Sequence, residues 1–227
     1  HRMTQSFLFS LSAVVALIPA ICAGLRHPPA RDLLFWATLA VAVAGPLAWT
    51  SVQMPEVWRT GLSAALWVTV SATVALFALL AAVTRQAWKL TPLIISYLVL
   101  LALLALLWQQ GPERALHGTG GPWVVIHIVV SVLTYSLVTI AAAAALAASL
   151  QETALKRKRP TALTERLPSV ADCEYLLVRL LIASEAVLAL GLATGMATLY
   201  AEQGAVIMID HKIVLTITAF VVIGGLL

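Results

Sequence analysis

The stretch WVVIHIVVSVLTYSLVTIAAAAALAASL, residues 123–150, contains no aspartate, glutamate, lysine or arginine. About 20 apolar residues cross the hydrocarbon core of a bilayer as a helix, so this run reads as a membrane span. Comparable runs lie at residues 6–25, 33–52, 61–83, 90–108, 176–200 and 213–227. None alternates apolar with polar residues as barrel strands do over about ten positions, so each must satisfy its backbone amides internally, as a helix. Composition agrees. Hydrophobic residues make up 61% of the 227 and charged residues 11%, and the mean hydropathy is +0.97, whereas about a quarter of a soluble domain is charged. The expected fold is all-α: one polytopic transmembrane bundle over residues 1–227, about seven helices, with no room for a soluble enzyme domain.

The ends need separate treatment. His1 and Arg2 precede Met3 and read as a cloning scar. The first run is expected to be a retained helix and not a cleaved signal, because Met3, Thr4 and Gln5 lack the positive charge such signals use. The last run stops at Leu227, short for a span and without a charged anchor, so the natural chain is expected to run on.

Lysine and arginine set the orientation, since basic short loops stay cytoplasmic. Arg26 and Arg31 follow the first run, Arg85 and Lys89 the third, and Lys156, Arg157, Lys158, Arg159 and Arg166 the fifth; the even loops hold Arg59, Arg114 and Lys212. The N-terminus is therefore expected outside, with residues 151–175 forming a basic cytoplasmic loop. The net charge of +4 is mainly this topology signal. The Lys156 to Arg159 run reads as an anchor beside anionic lipid and not as a nucleic-acid patch. Cys22 and Cys173 fall near the reducing cytoplasmic side and are expected to be plain thiols. There is no C-x-x-C-H for covalent c-type haem, no zinc spacing, no glycine-rich phosphate loop and no internal repeat.

The informative residues are the few polar ones within the membrane. His127, Ser131 and Tyr135 recur at i, i+4 and i+8, one face of a helix that should look into the bundle. His211 opens the last run at the same outer side, and two facing imidazoles can ligate one haem iron axially. The plainer alternative is that each histidine hydrogen-bonds a neighbouring carbonyl or hydroxyl. Glu185 lies near mid-membrane, where an ionised carboxylate is expensive; it is either a proton-relay or cation site, or a buried carboxyl bonded to a hydroxyl such as Ser184. His117 in the Gly-rich fourth loop reads as an exposed loop histidine, and Trp108 and Trp123 as interfacial anchors. Pro19 and Pro46 are candidates for kinks.

The segment His127-Ile128-Val129-Val130-Ser131 with Tyr135, the long helix ending Leu150-Gln151-Glu152 and the basic run after it resemble the cytochrome c assembly proteins of the CcsA/HemX-like type. Downstream, Leu167-Pro168-Ser169 with Glu174 and Arg179, Leu190-Gly191-Leu192 with Thr194-Gly195, and Asp210-His211-Lys212 follow that family's order. The likeness is closest to its short YpjD-type inner-membrane members and covers residues 122–227. It implies a protein that holds or passes haem, with His127 and His211 as axial ligands and one further helix beyond Leu227, eight in all. Two departures stand out. The tryptophan-rich external segment of the haem-delivery members is missing, and the second run reads Val43-Ala44-Gly45-Pro46-Leu47-Ala48-Trp49 where short members often carry a histidine.

The expectation is thus a multi-pass protein of the bacterial inner membrane that binds haem b near the periplasmic face, by ligation and not by turnover. Ser131 and Tyr135 would make supporting contacts to the cofactor site. Its partners would be haem, the lipid bilayer and another membrane assembly factor, without nucleic acid. The alternatives are a proton- or cation-coupled transporter using Glu185, and a haem-free scaffold for a partner complex.

Overall fold

The computed structural model describes residues 2–53, 59–109, 114–115, 122–203 and 211–227. These residues form α1 (Arg2–Val15), α2 (Ile18–Gly24), α3 (Leu33–Gln53), α4 (Leu62–Val83), α5 (Thr91–Leu107), α6 (Pro122–Arg157), α7 (Val170–Gln203) and α8 (His211–Leu226), with a 3-10 turn, Ala87–Leu90, leading into α5. Among the described residues, six segments are long and apolar enough to cross a membrane: Phe7–Gly24, Leu33–Val52, Leu62–Val83, Ala87–Leu107, Pro122–Arg157 and Val170–Ala197; the shorter apolar helix Ile213–Leu226 follows. The chain is a polytopic helical bundle and a multi-pass membrane protein. One element was not anticipated. Arg59–Thr60 (β1) pairs antiparallel with Arg114–Ala115 (β2), Arg59 opposite Ala115, and ties the second loop to the fourth.

Pro19 does break the first span. It sits in the first turn of α2, and α1 ends at Val15, because a proline there has no N–H to give and its ring collides with the carbonyl four residues back. Pro46 lies inside an unbroken α3. The break in the first span packs against the residue before that proline: a Cβ added to Gly45 would stand 2.6 Å from the Ala16 Cβ. Only glycine permits this crossing.

The centre of the bundle is α4, which packs on α3, α5 and α6. Trp67, Val70, Val74 and Phe77 are fully buried along it. Trp67 stacks on Trp49 with ring centroids 5.0 Å apart, and the Trp49 indole donates to Ser10 Oγ at 2.8 Å. Thr73 donates to Ser136 of α6 at 3.0 Å, the kind of interhelical bond that is worth about 0.6 kcal/mol in a membrane.

One end of the bundle gathers the odd loops. The Arg31 guanidinium donates to Ala82 O at 2.9 Å, and Arg166 Nε to Arg26 O at 3.4 Å. Asp32 pairs with both Arg26 terminal nitrogens at 2.7 and 3.1 Å and accepts the Phe35 N–H at 3.0 Å, which caps α3. The basic connector is shorter than expected: α6 continues to Arg157 and α7 begins at Val170. At 1.5 Å per residue α6 is about 54 Å long, well beyond a hydrocarbon core of about 30 Å. Lys158, at φ 50°, ends it in a Schellman turn, with Arg159 N bonded to Ala154 O and Lys158 N to Leu155 O,. The Gln151 amide then donates to the carbonyls of Thr164, Pro168 and Leu167 at 2.7, 3.0 and 3.3 Å, and Ser169 caps α7 through the Asp172 N–H at 3.2 Å.

Two outcomes follow. Gly45→Ala should lower stability by about 1–3 kcal/mol through overpacking, read as a fall in melting temperature in detergent. The Arg26 hydrogen bonds, then the Phe35 N–H, hold the Asp32 carboxyl down at about 2. A depressed carboxylate contributes above its ordinary pKa and loses that contribution as pH falls through the folded value. The melting difference between wild type and Asp32→Asn should therefore be flat from about pH 7 to about pH 5 and shrink only in stronger acid.

Candidate functional site

His127 stands near the start of α6, packed against α7. A Cβ added to Gly195 of α7 would lie 3.2 Å from His127 Cε1 and 3.5 Å from its Nδ1, so the imidazole lies against bare backbone. One turn away, a Cβ on Gly191 would meet Val130 at 3.4 Å. His127 Nδ1 is 3.2 Å from Gly191 O and 3.3 Å from Thr194 Oγ1, and Thr194 Oγ1 itself donates to Gly191 O at 3.1 Å. A carbonyl oxygen only accepts, so the Gly191 contact is a hydrogen bond in the tautomer that carries its hydrogen on Nδ1,. Nε2 has no hydrogen-bond partner among the described residues.

Other expected residues are placed differently. Ser131 does not reach the ring; it donates to the His127 carbonyl at 2.7 Å, the back-bond that helical serines often make to residue i−4. Tyr135 is 64% exposed and turns away from the interior the stripe was expected to face. Four residues advance a helix by about 400°, so the row drifts about 40° per step and about 80° from His127 to Tyr135. His117 lies outside the described residues. Trp108 and Trp123 are exposed at the ends of their helices, as anchors would be, and Cys22 and Cys173 are free thiols.

Glu185 marks the α7–α8 seam. Its Oε1 lies 3.1 Å from where a Cβ on Gly224 would stand, and its Oε2 is buried without a hydrogen-bond partner among the described residues. Ser184, the hydroxyl suggested by sequence, donates instead to Leu181 O at 2.9 Å.

His211 is the first residue of α8, and its side chain lies outside the described residues. Its level follows from the contact at Gly224. His211 is about 20 Å up α8 from there, and Gly195 about 15 Å up α7 from Glu185. The backbones of His127 and His211 thus stand at the same end of the bundle, with levels about 5 Å apart. Sequence reasoning missed the partners that orient His127. Their signal was the small-xxx-small pattern Gly191-Leu192-Ala193-Thr194-Gly195, which lets two membrane helices approach closely.

The pattern of the family described as Cytochrome C assembly protein matches residues 30–227. A protein of Azospirillum brasilense, described as an uncharacterized 28.8 kDa protein in a nifR3-like 5′ region, is 49% identical over 232 residues, covering 99% of this chain and 85% of its own. No solved structure matches. With that match running through five of the six candidate spans, the shorter apolar helix after them and the His127 site, the chain belongs to the cytochrome c assembly protein family.

Proposed function

We propose that this protein holds haem b near the external face of the bacterial inner membrane in the service of cytochrome c assembly, with His127 and His211 as axial ligands. The observation that carries this reading is the state of the His127 ring. Its Nδ1 is committed to the Gly191 carbonyl at 3.2 Å while Nε2 is left without a partner among the described residues, the arrangement of a ligating imidazole whose other nitrogen donates to a carbonyl. The residues present therefore fit an axial ligand. When bound, haem supplies an iron that accepts two axial nitrogens and can change oxidation state. His211 opens α8 at the same end, Ser131 braces the His127 backbone, and Tyr135 is left for a group on the outer surface of α6. The gathering of the basic loops at the opposite end supports an external N-terminus and an external haem site. Another membrane assembly factor would receive or supply the haem.

Wild type purified with haem should show a Soret band that is lost in His127→Ala and in His211→Ala and kept in Ser131→Ala. A fully reconstituted wild type without that band defeats the reading.

Glu185 favours a second reading, a proton- or cation-coupled pathway, because a carboxyl with a buried, unpartnered oxygen inside a membrane span is where a proton or small cation binds. Proton or cation flux in proteoliposomes, abolished by Glu185→Gln, would establish it; equal flux in the variant would remove it.

A further inference from the structure

The orientation of His127 has its own apparatus on α7. Gly191, Thr194 and Gly195 fall within a little more than one helical turn, so all three project toward α6. Each acts on the imidazole differently. The Gly191 carbonyl accepts from Nδ1 at 3.2 Å. That oxygen also takes the N–H of its own helix and the Thr194 hydroxyl, so three donors share its two lone pairs. The Thr194 hydroxyl donates to that same carbonyl at 3.1 Å, which turns the Oγ1 lone pairs toward Nδ1, 3.3 Å away. The hydrogen on Nδ1 is thus shared between two acceptors, one of them oriented by the other. Gly195 sets the depth: any side chain there would put a Cβ 3.2 Å from Cε1 and oblige the ring to shift by a few tenths of an ångström.

We infer that Gly191, Thr194 and Gly195 form a positioning cradle that selects the Nδ1–H tautomer of His127 and so determines which ring nitrogen is offered to a ligand. In water the neutral imidazole of histidine favours the other tautomer, with hydrogen on Nε2. The cradle works against that preference, since an Nε2–H ring would place the Nδ1 lone pair against the Gly191 carbonyl oxygen. Two facing lone pairs inside a membrane repel with little screening. The selection is a property of the polypeptide and exists before any ligand arrives. Only its use, presentation of Nε2 to iron, rests on the haem reading.

The test is nitrogen-15 NMR of histidine-labelled, haem-free protein in nanodiscs, on the neutral ring, with the His127 signals assigned by their loss in His127→Gln. Wild type should show one tautomer, with hydrogen on Nδ1. Gly195→Ala should show a mixture of both, and so should Thr194→Val, while Thr194→Ser, which keeps the hydroxyl, should restore the single form. Helix content by circular dichroism separates these shifts from misfolding. If no variant folds, the wild-type spectrum decides alone, because a ring protonated mainly on Nε2 overturns the proposal. So does a single Nδ1–H tautomer that persists unchanged in folded Gly195→Ala and Thr194→Val. The Soret measurement is independent: Nδ1–H selection in a protein that takes up no haem upholds the cradle and removes only the haem reading.

Discussion

The seating of α6 side chains against the α7 backbone at Gly191 and Gly195 is the constraint on which the outer end of the bundle depends. Lipid tails are as apolar as leucine, so helices in a bilayer gain nothing from hiding hydrocarbon from one another; they associate through van der Waals contact and hydrogen bonds, which require close approach. Glycine on α7 permits that approach, and the pairs Gly195–His127 and Gly191–Val130 fix an antiparallel register. Six residues further down α7, Glu185 is level with the Tyr135–Leu137 stretch of α6. From Glu185 the register passes to Gly224 and α8, and by that route to the level of His211.

The other half of the bundle is ordered around α4, by a different kind of fit. Its large side chains are enclosed on several sides by α3, α5 and α6, and the tryptophan pair Trp49–Trp67 fills the space between α3 and α4. Some polar groups in this region bond each other across helices, as Trp49 does with Ser10 and Thr73 with Ser136, while the Trp67 indole N–H is buried without a partner among the described residues. A hydroxyl without a partner there would cost more than the bond contributes.

Much of this was legible in the sequence, because the bilayer imposes length and apolarity on each span. The spans and the gathering of basic loops follow from one-dimensional patterns, whereas Pro19 and Pro46 read alike in the sequence and only Pro19 interrupts its helix. What was not legible is azimuth. α4 is apolar all round, so nothing in its residues says that it, and not α5, takes the centre. Tyr135 lies on the expected stripe but drifts outward, because a spacing of four overshoots the helical turn. Ser131 shares the face of His127, yet its nearest acceptor is the carbonyl of its own helix. The residues that do touch the ring lie more than 60 positions away; the family resemblance singled them out without giving them a role, and the close-packing pattern on α7 hinted at one. The end of α6 was misjudged for a related reason: Gln151 and the basic residues after it look like loop by charge, but a helix that has left the membrane has no need to be apolar.

Helix α6 is the only described helix with substantial packing on both sets of neighbours, α4 and α5 on one side and α7 on the other, while α8 rests on α7 alone. Mechanically this makes the first five helices a stiff block and the last two a wing clamped along a single edge. That edge is the most extensive helix–helix seam among the described residues, so the wing is joined to the block by close packing. His127 stands on one side of it and Gly195 on the other. Any twist of the wing therefore reaches the imidazole directly, as a change in how deeply the ring is seated.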